Sequence, residues 1–285
     1  MGPRRDGVYP APHGASAVTG LALVTGASSG IGEAYAERLA ADGVDLVLVA
    51  RRADRLRTLA ERLQATHGIT ATVAAADLAD RAGLEATCAQ AAELPLTLVV
   101  NNAALAHYGP FADLEAARAA ELVDLNVLAP VMLTRAAVAG MLARGTGAVV
   151  NVASLLAFSG AWEAPQLPQR AVYAASKSFL VTFTQILAAE LRGTGVRAQV
   201  VCPGVVRSEF HSRQGLDLSA VPRMEPAAVV QASLRDLERG AVVCIPGAPD
   251  DAAIDGIVAA QAALRGATRA VELPERFAEG SPHHQ

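Results

Sequence analysis

The chain has 285 residues, of which 52% are hydrophobic and 18% are charged. This length permits one large α/β domain or two small ones, and the composition is too apolar for a disordered chain. The formal net charge is -4, and acidic and basic residues are interspersed, so we expect no nucleic-acid partner. No apolar run approaches the length needed to span a bilayer, and residues 1–18 lack an apolar signal core, so we expect a cytoplasmic protein without a membrane partner.

Seven short apolar runs alternate with longer amphipathic stretches. The runs predict strands at 21–26, 45–50, 70–75, 96–101, 147–153, 197–202 and 241–246. The stretches between and after them predict helices at 31–42, 53–67, 81–93, 112–143, 172–193 and 226–239. This alternation predicts a single-domain, doubly wound (Rossmann-like) α/β fold: a parallel seven-stranded sheet with helices on both faces. We expect the domain to cover 19–267, between loosely ordered tails at 1–18 and 268–285.

A glycine-rich turn follows the first predicted strand. Its sequence is Thr25-Gly26-Ala27-Ser28-Ser29-Gly30-Ile31-Gly32, and a helical pattern begins at once. Glycine lets a backbone turn tightly beside a pyrophosphate, and the N–H groups of a helix start can bind the anion. The strand–turn–helix context predicts a dinucleotide site, and the alternative is a tight turn without a ligand. The expected contacts are Gly26, Ser28, Ser29, Gly30, Ile31 and Gly32.

The second predicted strand ends in Ala50, followed by Arg51 and Arg52. An NAD site places an acidic side chain here to hold the ribose hydroxyls, whereas a guanidinium can bind a 2′-phosphate. The sequence therefore predicts NADP(H), with Arg51 as the main contact and Arg52 as a further candidate. The alternative is a pair of solvated surface arginines.

The single lysine of the chain, Lys177, follows Tyr173 by four residues. On a helix these two side chains lie on one face. A nearby ammonium stabilises a phenolate and lowers a tyrosine pKa from its ordinary value of about 10. The pair predicts acid–base chemistry, and the alternative is an exposed contact on a helix surface.

Together these features resemble the classical short-chain dehydrogenase/reductase family over about residues 20–247. The glycine-rich turn is similar to the cofactor loop of the family. Further segments match in the order that the family has: Asp77-Leu78, Asn101-Asn102-Ala103-Ala104 and Pro203-Gly204-Val205-Val206-Arg207-Ser208. The catalytic tetrad of the family is matched by Asn126, Ser154, Tyr173 and Lys177.

The resemblance implies a role for each of these residues. Tyr173 is expected to be the general acid in carbonyl reduction, or the base in alcohol oxidation, while Lys177 holds the nicotinamide ribose. Ser154 ends the fifth strand and is expected to hydrogen-bond the substrate oxygen, unless it only caps a turn. Cofactor contacts are further expected from Arg51, Arg52, Asp77, Leu78, Asn102, Ala103, Lys177, Pro203, Gly204, Val206 and Ser208.

Asn126 lies in a helical pattern that Pro130 interrupts. Because proline has no N–H, the carbonyl of Asn126 loses its usual donor four residues on, which predicts a bend there. In the family this asparagine is thought to hold a water in a proton relay to the lysine. The free carbonyl is our hypothesis for how it does so here.

Two departures from the family pattern stand near the predicted site. Ala104 replaces a glycine and would be strained if the position required a positive φ, whereas Ser208 keeps the hydroxyl of the usual threonine. Ser154 and Tyr173 are 19 residues apart, more than the family usually has. We expect the extra stretch, 159–170, to loop out beside the site with Trp162 shaping the substrate pocket. The alternative is an ordinary surface or subunit-contact loop.

Three other stretches suggest surroundings for the site. His107 and Tyr108 line the pocket or pack a loop, and 205–228 has the length and polarity of a lid. The helix at 178–191 is apolar over a wide arc, which predicts a homodimer or homotetramer unless the helix is buried within its own subunit. The three cysteines, Cys88, Cys202 and Cys244, indicate reduced core thiols and no metal site.

The predicted function is an NADP(H)-dependent ketoreductase or secondary-alcohol dehydrogenase with a hydrophobic carbonyl or alcohol substrate. A lyase or epimerase on the same scaffold is the first alternative, although the complete tetrad disfavours it. A non-catalytic NADP-binding regulator is the second, and it has no need for Tyr173.

Overall fold

The computed structural model describes residues 20–160 and 168–267. Within them, the chain divides into a larger unit that ends at Gly247 and a C-terminal unit that begins at Ala248. The strands are β1 (Leu21–Thr25), β2 (Asp45–Ala50), β3 (Ala71–Ala75), β4 (Leu96–Asn101), β5 (Gly147–Val152), β6 (Val196–Val201) and β7 (Val243–Cys244). The α-helices are α1 (Gly30–Ala41), α2 (Ala53–His67), α3 (Arg81–Glu93), α4 (Ala116–Val123), α5 (Ala129–Arg144), α6 (Ala171–Glu190), α7 (Phe210–Arg213), α8 (Pro226–Glu238) and α9 (Ala252–Ala267).

The seven strands form one parallel sheet in the order β3-β2-β1-β4-β5-β6-β7. The predicted doubly wound fold is therefore confirmed. The chain reverses its direction of winding between β1 and β4, which are neighbours in the sheet although two other strands separate them in sequence. In such sheets the carboxyl ends of the strands at this reversal form a crevice for ligands.

The core has two halves because successive residues of a strand point to opposite faces. Ala22 and Val24 of β1 pack on one face with Tyr35 of α1, in a cluster that also includes α2 and α8. Leu23 packs on the other face with Met141 of α5, in a cluster that also includes α3 and α6. Burial on both faces explains why the strands are continuous apolar runs.

The predicted helix at 112–143 is interrupted. A 3₁₀ turn at Phe111–Asp113 precedes α4, and a π-helical turn at Asp124–Leu128 joins α4 to α5. Ala129 donates its N–H to the carbonyl of Asp124, five residues back. Pro130 lies in the first turn of α5, which begins at Ala129, and the predicted bend at Asn126 is a local widening of the helix in place of a sharp kink.

Three further features differ from the sequence-based prediction. β7 has two residues where a run of six was expected, since it pairs with β6 only through Val243 and Cys244. The helix α7 was not predicted separately within 205–228. The helix α9 was missed because its many alanines give no strong amphipathic pattern.

Two stretches are long and apolar enough to cross a membrane by length and composition, namely Ala116–Arg144 and Ala171–Glu190. The expectation that no run would reach this length was therefore wrong. Their apolar side chains nevertheless contribute to the core, where Leu122, Leu133 and Met141 are fully buried and Leu180 nearly so. Packing within the fold thus accounts for part of their composition, since 44% and 33% of the two most apolar windows are buried.

A buried hydrogen-bond chain links three elements behind the sheet. The hydroxyl of Tyr35 donates to Ser233 Oγ at 2.5 Å, and Ser233 Oγ donates to Gln199 Oε1 at 2.7 Å. Tyr35 is fully buried. The chain ties α1, α8 and β6 together through side chains that have no access to water.

We expect Tyr35→Phe to lower the free energy of unfolding by about 1–2 kcal/mol, because it deletes a buried hydrogen bond and keeps the ring. Urea denaturation measures the change. Ser233→Ala and the double variant complete a double-mutant cycle, in which the two losses should not add because they remove the same bond. Additive losses would show that the two hydroxyls act independently.

Candidate active site

A cavity of about 1210 Å³ lies at the carboxyl ends of the strands. Most predicted site residues line it: Gly26, Ser28, Ser29, Gly30, Ile31, Arg51, Arg52, Asp77, Leu78, Asn102, Ala103, Ser154, Tyr173, Lys177, Pro203, Gly204, Val206 and Ser208. Gly32 and Asn126 do not line it. Gly32 packs against the carbonyl of Gly26, and Asn126 hydrogen-bonds Leu105, and both of these partners line the cavity. The fold thus brings the predicted cofactor and catalytic residues to one place.

The ends of β1 and β4 are joined by side-chain hydrogen bonds. Thr25 Oγ1 donates to the carbonyl of Val100 and accepts from the N–H groups of Asn102 and Ala103 at 2.9 and 3.0 Å. Asn102 Nδ2 in turn donates to the carbonyl of Thr25 at 2.9 Å. These bonds fix the start of the glycine-rich turn relative to the segment after β4.

The glycines of the turn are required by this packing. A Cβ atom on Gly26 would lie 2.7 Å from Asn102 Nδ2, and one on Gly32 would lie 2.5 Å from the same atom. Gly26 and Gly30 also have positive φ angles of 65° and 61°. α1 then begins without a side-chain cap, so the N–H groups of its first turn remain available to an anion.

Arg52 is docked on the glycine-rich turn. It donates through Nε to Ser28 Oγ at 3.1 Å and through Nη2 to Ser29 Oγ at 2.7 Å. Its Nη1 pairs with Glu209 Oε2 at 3.0 Å, and the same carboxylate also binds Arg55 and Arg213. Glu209 thus links the turn to α7.

Arg51 is held more loosely than Arg52. Its side chain is 54% exposed, and its nearest carboxylate, on Asp77, is 3.5 Å away. Both arginines line the cavity, and their role as cofactor contacts stays a prediction. The guanidinium of Arg51 is the freer of the two to bind a new anion.

Ser154, Tyr173 and Lys177 converge at the end of β5. The Ser154 hydroxyl hydrogen-bonds Tyr173, and Lys177 Nζ lies 5.8 Å from the centre of the Tyr173 ring. Lys177 Nζ donates to the carbonyl of Val152 at 2.9 Å. Ser154 Oγ also accepts from the N–H of Leu156, so the serine both caps a turn and faces the cavity.

Burial governs the protonation of these groups. It lowers the pKa of Lys177 from 10.5 to about 8, with the Cys202 thiol opposing the shift. It raises the pKa of Tyr173, with Tyr108 adding to the rise and the Ser154 hydroxyl opposing it. Burial is thus the largest influence on the Tyr173 pKa, and the lowering of that pKa by Lys177 stays a prediction.

Asn126 is fully buried behind the cavity. Its Nδ2 donates to the carbonyl of Leu105 at 2.8 Å and to Ser176 Oγ at 3.0 Å, and its Oδ1 accepts from the N–H of Leu105 at 2.9 Å. These bonds hold the segment after β4 against α6. With the side chain occupied, a relay through Asn126 would use its main-chain carbonyl, which remains a prediction.

The departures from the family pattern cause no strain in the described chain. No residue other than glycine has a positive φ there, so Ala104 is accommodated. Trp162 and its neighbours 161–167 lie outside the described residues. Ser208 lies against the glycine-rich turn, where a Cβ on Gly30 would meet its Cβ at 3.0 Å.

An aromatic cluster surrounds Tyr173. Tyr108 lies edge-on to it with ring centres 5.9 Å apart, Phe210 lies at 6.0 Å, and His211 stacks on Tyr108 at 6.2 Å. Of the two candidates after β4, Tyr108 lines the cavity and His107 does not. Phe210 and His211 come from the segment that was predicted to be a lid.

Backbone hydrogen bonds join the two ends of the segment 205–228. Arg207 donates its N–H to the carbonyl of Met224, and Met224 donates to that of Val205, both at 2.9 Å. Between these points the chain forms α7 and contributes Leu216, Leu218 and Val221 to the cavity. Sequence reasoning found this segment, and it placed Arg170 beside the site as the last residue of the stretch 159–170. It missed Arg118 as a lining residue because no motif marks it.

The motifs, their order and this geometry agree with one protein family, and a model of the short chain dehydrogenase family matches residues 20–218. The chain belongs to the short chain dehydrogenase family. The sequence-based resemblance is therefore confirmed.

Individual relatives support this assignment. A short chain dehydrogenase of Pseudocercospora fijiensis is 38% identical over 198 residues, which are 66% of this chain and 60% of the relative. A short-chain dehydrogenase from Sphingobium yanoikuyae, solved in complex with NADPH, is 34% identical with a TM-score of 0.86, covering 92% of this chain and all of that one. The bulky-bulky ketone specific alcohol dehydrogenase from Comamonas testosteroni is 32% identical with a TM-score of 0.81, covering 90% and 98%.

Lys177→Met should stabilise the cofactor-free protein at pH 7 by about 1–3 kcal/mol. The folded-state pKa of Lys177 is about 8 against 10.5 ordinarily, so below pH 8 folding carries the full cost of burying the ammonium. This cost disappears as the pH rises from about 8 to above 10, because the unfolded chain then holds more protons than the folded one.

Urea denaturation at pH 7 and pH 9.5 measures the stability of the wild type and the variant. The increase in the free energy of unfolding that Lys177→Met causes should be larger at pH 7 than at pH 9.5. Arg239→Met, at an exposed position, controls for the loss of a surface charge. An advantage that grows with pH would contradict the assignment.

Proposed function

We propose that this chain is an NADP(H)-dependent oxidoreductase that reduces a carbonyl of a hydrophobic small molecule to a secondary alcohol, or catalyses the reverse. The observation that carries the proposal is the meeting of Ser154, Tyr173 and Lys177 in the same cavity as the glycine-rich turn. A hydroxyl, a phenol and an ammonium are the groups that carbonyl reduction needs beside a hydride donor.

The residues at the β1–β4 end of the cavity fit a dinucleotide phosphate. The uncapped first turn of α1 offers N–H groups to a pyrophosphate, and Arg51 and Arg52 offer guanidinium groups to a 2′-phosphate. No acidic residue occupies the end of β2, where NAD sites usually carry one. The Sphingobium yanoikuyae relative, solved with NADPH, supports this choice of cofactor.

When bound, a reduced nicotinamide supplies the hydride that goes to the carbonyl carbon. Tyr173 donates the proton to the carbonyl oxygen, and the Ser154 hydroxyl stabilises the charge that develops on that oxygen. Lys177 provides the positive charge that favours the resulting phenolate. Its Nζ donates one N–H to the Val152 carbonyl, and the ammonium has two further N–H groups to offer a ribose.

The substrate end of the cavity favours a bulky organic molecule. Its walls are formed by Leu105, Tyr108, Leu156, Phe210, Leu216 and Val221. At about 1210 Å³, the whole cavity exceeds the ~300–1,000 Å³ of most small-molecule sites, which leaves space for a substrate beside a dinucleotide. The relative from Comamonas testosteroni, which is specific for bulky ketones, supports a ketone substrate.

Two other assignments follow from the same fold. A lyase or epimerase would convert its substrate without net oxidation of NADPH, and a regulator would bind NADPH without turnover.

We also keep a homodimer or homotetramer and a cytoplasmic location as predictions. Phe179 and Ile186 of α6 are 41% and 56% exposed, as an association surface requires.

Tyr173→Phe should lower kcat for NADPH-dependent reduction of bulky aryl ketones by at least about 100-fold, because it removes the general acid and keeps the ring. NADPH absorbance follows turnover, and the fluorescence of bound NADPH measures cofactor affinity. Affinity should change less than about threefold, since the phenol does not hold the cofactor phosphates. Wild-type binding of NADPH without turnover would favour the regulator.

Arg51→Met should lower kcat/KM for NADPH by about 10- to 100-fold and leave the value for NADH within about threefold. The reason is that a charge-assisted bond to the 2′-phosphate is lost and the rest of the dinucleotide site is kept. Arg57→Met is the matched control, because Arg57 is exposed on α2 and pairs with Asp54. Equal losses with both cofactors would refute the role of Arg51.

A further inference from the structure

Among the described residues, five arginines line the cavity, and four of them have a carboxylate partner. The pairs are Arg51 with Asp77 at 3.5 Å, Arg52 with Glu209 at 3.0 Å, Arg118 with Glu121 at 2.5 Å, and Arg213 with Glu209 at 2.8 Å. Arg170 is the fifth, and within residues 20–160 and 168–267 it forms no ion pair at 4.0 Å or less.

The guanidinium of Arg170 is only partly engaged. Nη1 donates to the carbonyl of Pro168 at 3.0 Å. Nε is buried and has no hydrogen-bond partner within the described chain. The Nη1 bond to Pro168 does not use the Nε–Nη2 edge, and this is an edge on which a guanidinium binds both oxygens of a carboxylate at once.

Arg170 lies on the substrate side of the cavity. It is the N-cap residue of α6, and Tyr173 follows three residues later in the first turn of that helix. Its charge also acts on Tyr108, where it opposes the rise in pKa that burial causes. Tyr108 in turn contacts the Tyr173 ring. The arginine is thus near the proton donor and away from the glycine-rich turn.

The other described charges around the cavity do not satisfy Arg170. Among the described residues, two acidic residues line the cavity, Asp77 and Asp217. Asp77 pairs with Arg51, and Asp217 accepts the N–H of Ser219 at 2.8 Å. A guanidinium with a buried, unpaired N–H loses hydration without a replacement, and an anionic ligand restores that interaction.

We propose that the substrate is a carbonyl compound that also carries a carboxylate group a few bonds from the carbonyl. Arg170 binds this carboxylate through its Nε–Nη2 edge while Tyr173 and Ser154 hold the carbonyl oxygen. The inference rests on the proposed reductase function and specifies the substrate class of that site.

The test compares keto acids with their neutral esters. Wild-type protein is given NADPH with 4-oxo-4-phenylbutanoate or 5-oxo-5-phenylpentanoate, each beside its methyl ester and beside propiophenone. NADPH oxidation gives kcat and KM for each compound. We expect kcat/KM to be at least about tenfold higher for one of the acids than for its ester, because a charged hydrogen-bonded pair forms with the acid alone.

Variants assign this preference to Arg170. Arg170→Met should lower kcat/KM for the acid by about 10- to 100-fold, chiefly through KM, and leave the ester within about threefold. Arg170→Lys keeps the charge without the bidentate edge, so its acid-to-ester ratio should be intermediate. Arg239→Met removes an exposed charge outside the cavity and should leave the ratio unchanged. Thermal unfolding of each variant establishes that it is folded.

The outcomes separate this inference from the function on which it rests. Ketone turnover without preference for an acid, or a preference that survives in Arg170→Met, would overturn the role of Arg170 and leave the reductase intact. If wild-type protein oxidises NADPH with none of the acids, esters or ketones, the proposed function and this inference both fail. A preference that is lost in Arg170→Met and partly kept in Arg170→Lys supports the proposal.

Discussion

The site depends on the joint between the carboxyl ends of β1 and β4. These two strands are parallel neighbours, and the chain adds further strands outward from β1 on one side and from β4 on the other. Thr25 and Asn102 close this joint with hydrogen bonds between the strand ends. The closeness of Asn102 then permits only glycine at positions 26 and 32. The phosphate-binding geometry of the turn is thus a consequence of how the two central strands are fastened together.

Buried polar groups continue from this joint towards the catalytic residues. Asn101 Nδ2 donates to Thr134 and Asn151, and Asn151 Nδ2 donates to Thr184 of α6. The helix that carries Tyr173 and Lys177 is therefore tied to β5 by side chains as well as by apolar packing. Asn101 Oδ1 is buried without a hydrogen-bond partner in the described chain, so the network is incomplete at that atom. Its other bonds still favour one arrangement of the core, which a catalytic site requires.

Sequence patterns predicted the sheet and most of the helix bounds because buried parallel strands are apolar runs and the connecting helices are amphipathic. The motifs likewise indicated which residues share the cavity. They did not reveal that Arg52 is docked on Ser29, since that depends on the approach of Glu209 from a segment far along the chain.

Two other features of the site lay beyond sequence reasoning for physical reasons. A spacing of four residues brings Tyr173 and Lys177 together, but it does not give their depth below the surface, and depth sets the direction of both pKa shifts. Arg170 belongs to no motif, and its importance follows from the absence of a nearby carboxylate within the described chain. Such an absence becomes visible only when the cavity and its neighbours are assembled.

Glu209 shares one carboxylate among Arg52, Arg55 and Arg213. The cluster consequently keeps a net positive charge at the rim of the cavity, on a chain whose formal charge is -4. A local field of this sign attracts an anionic dinucleotide towards its site before any contact forms. The association rate should therefore fall as ionic strength rises, even though the protein as a whole repels anions.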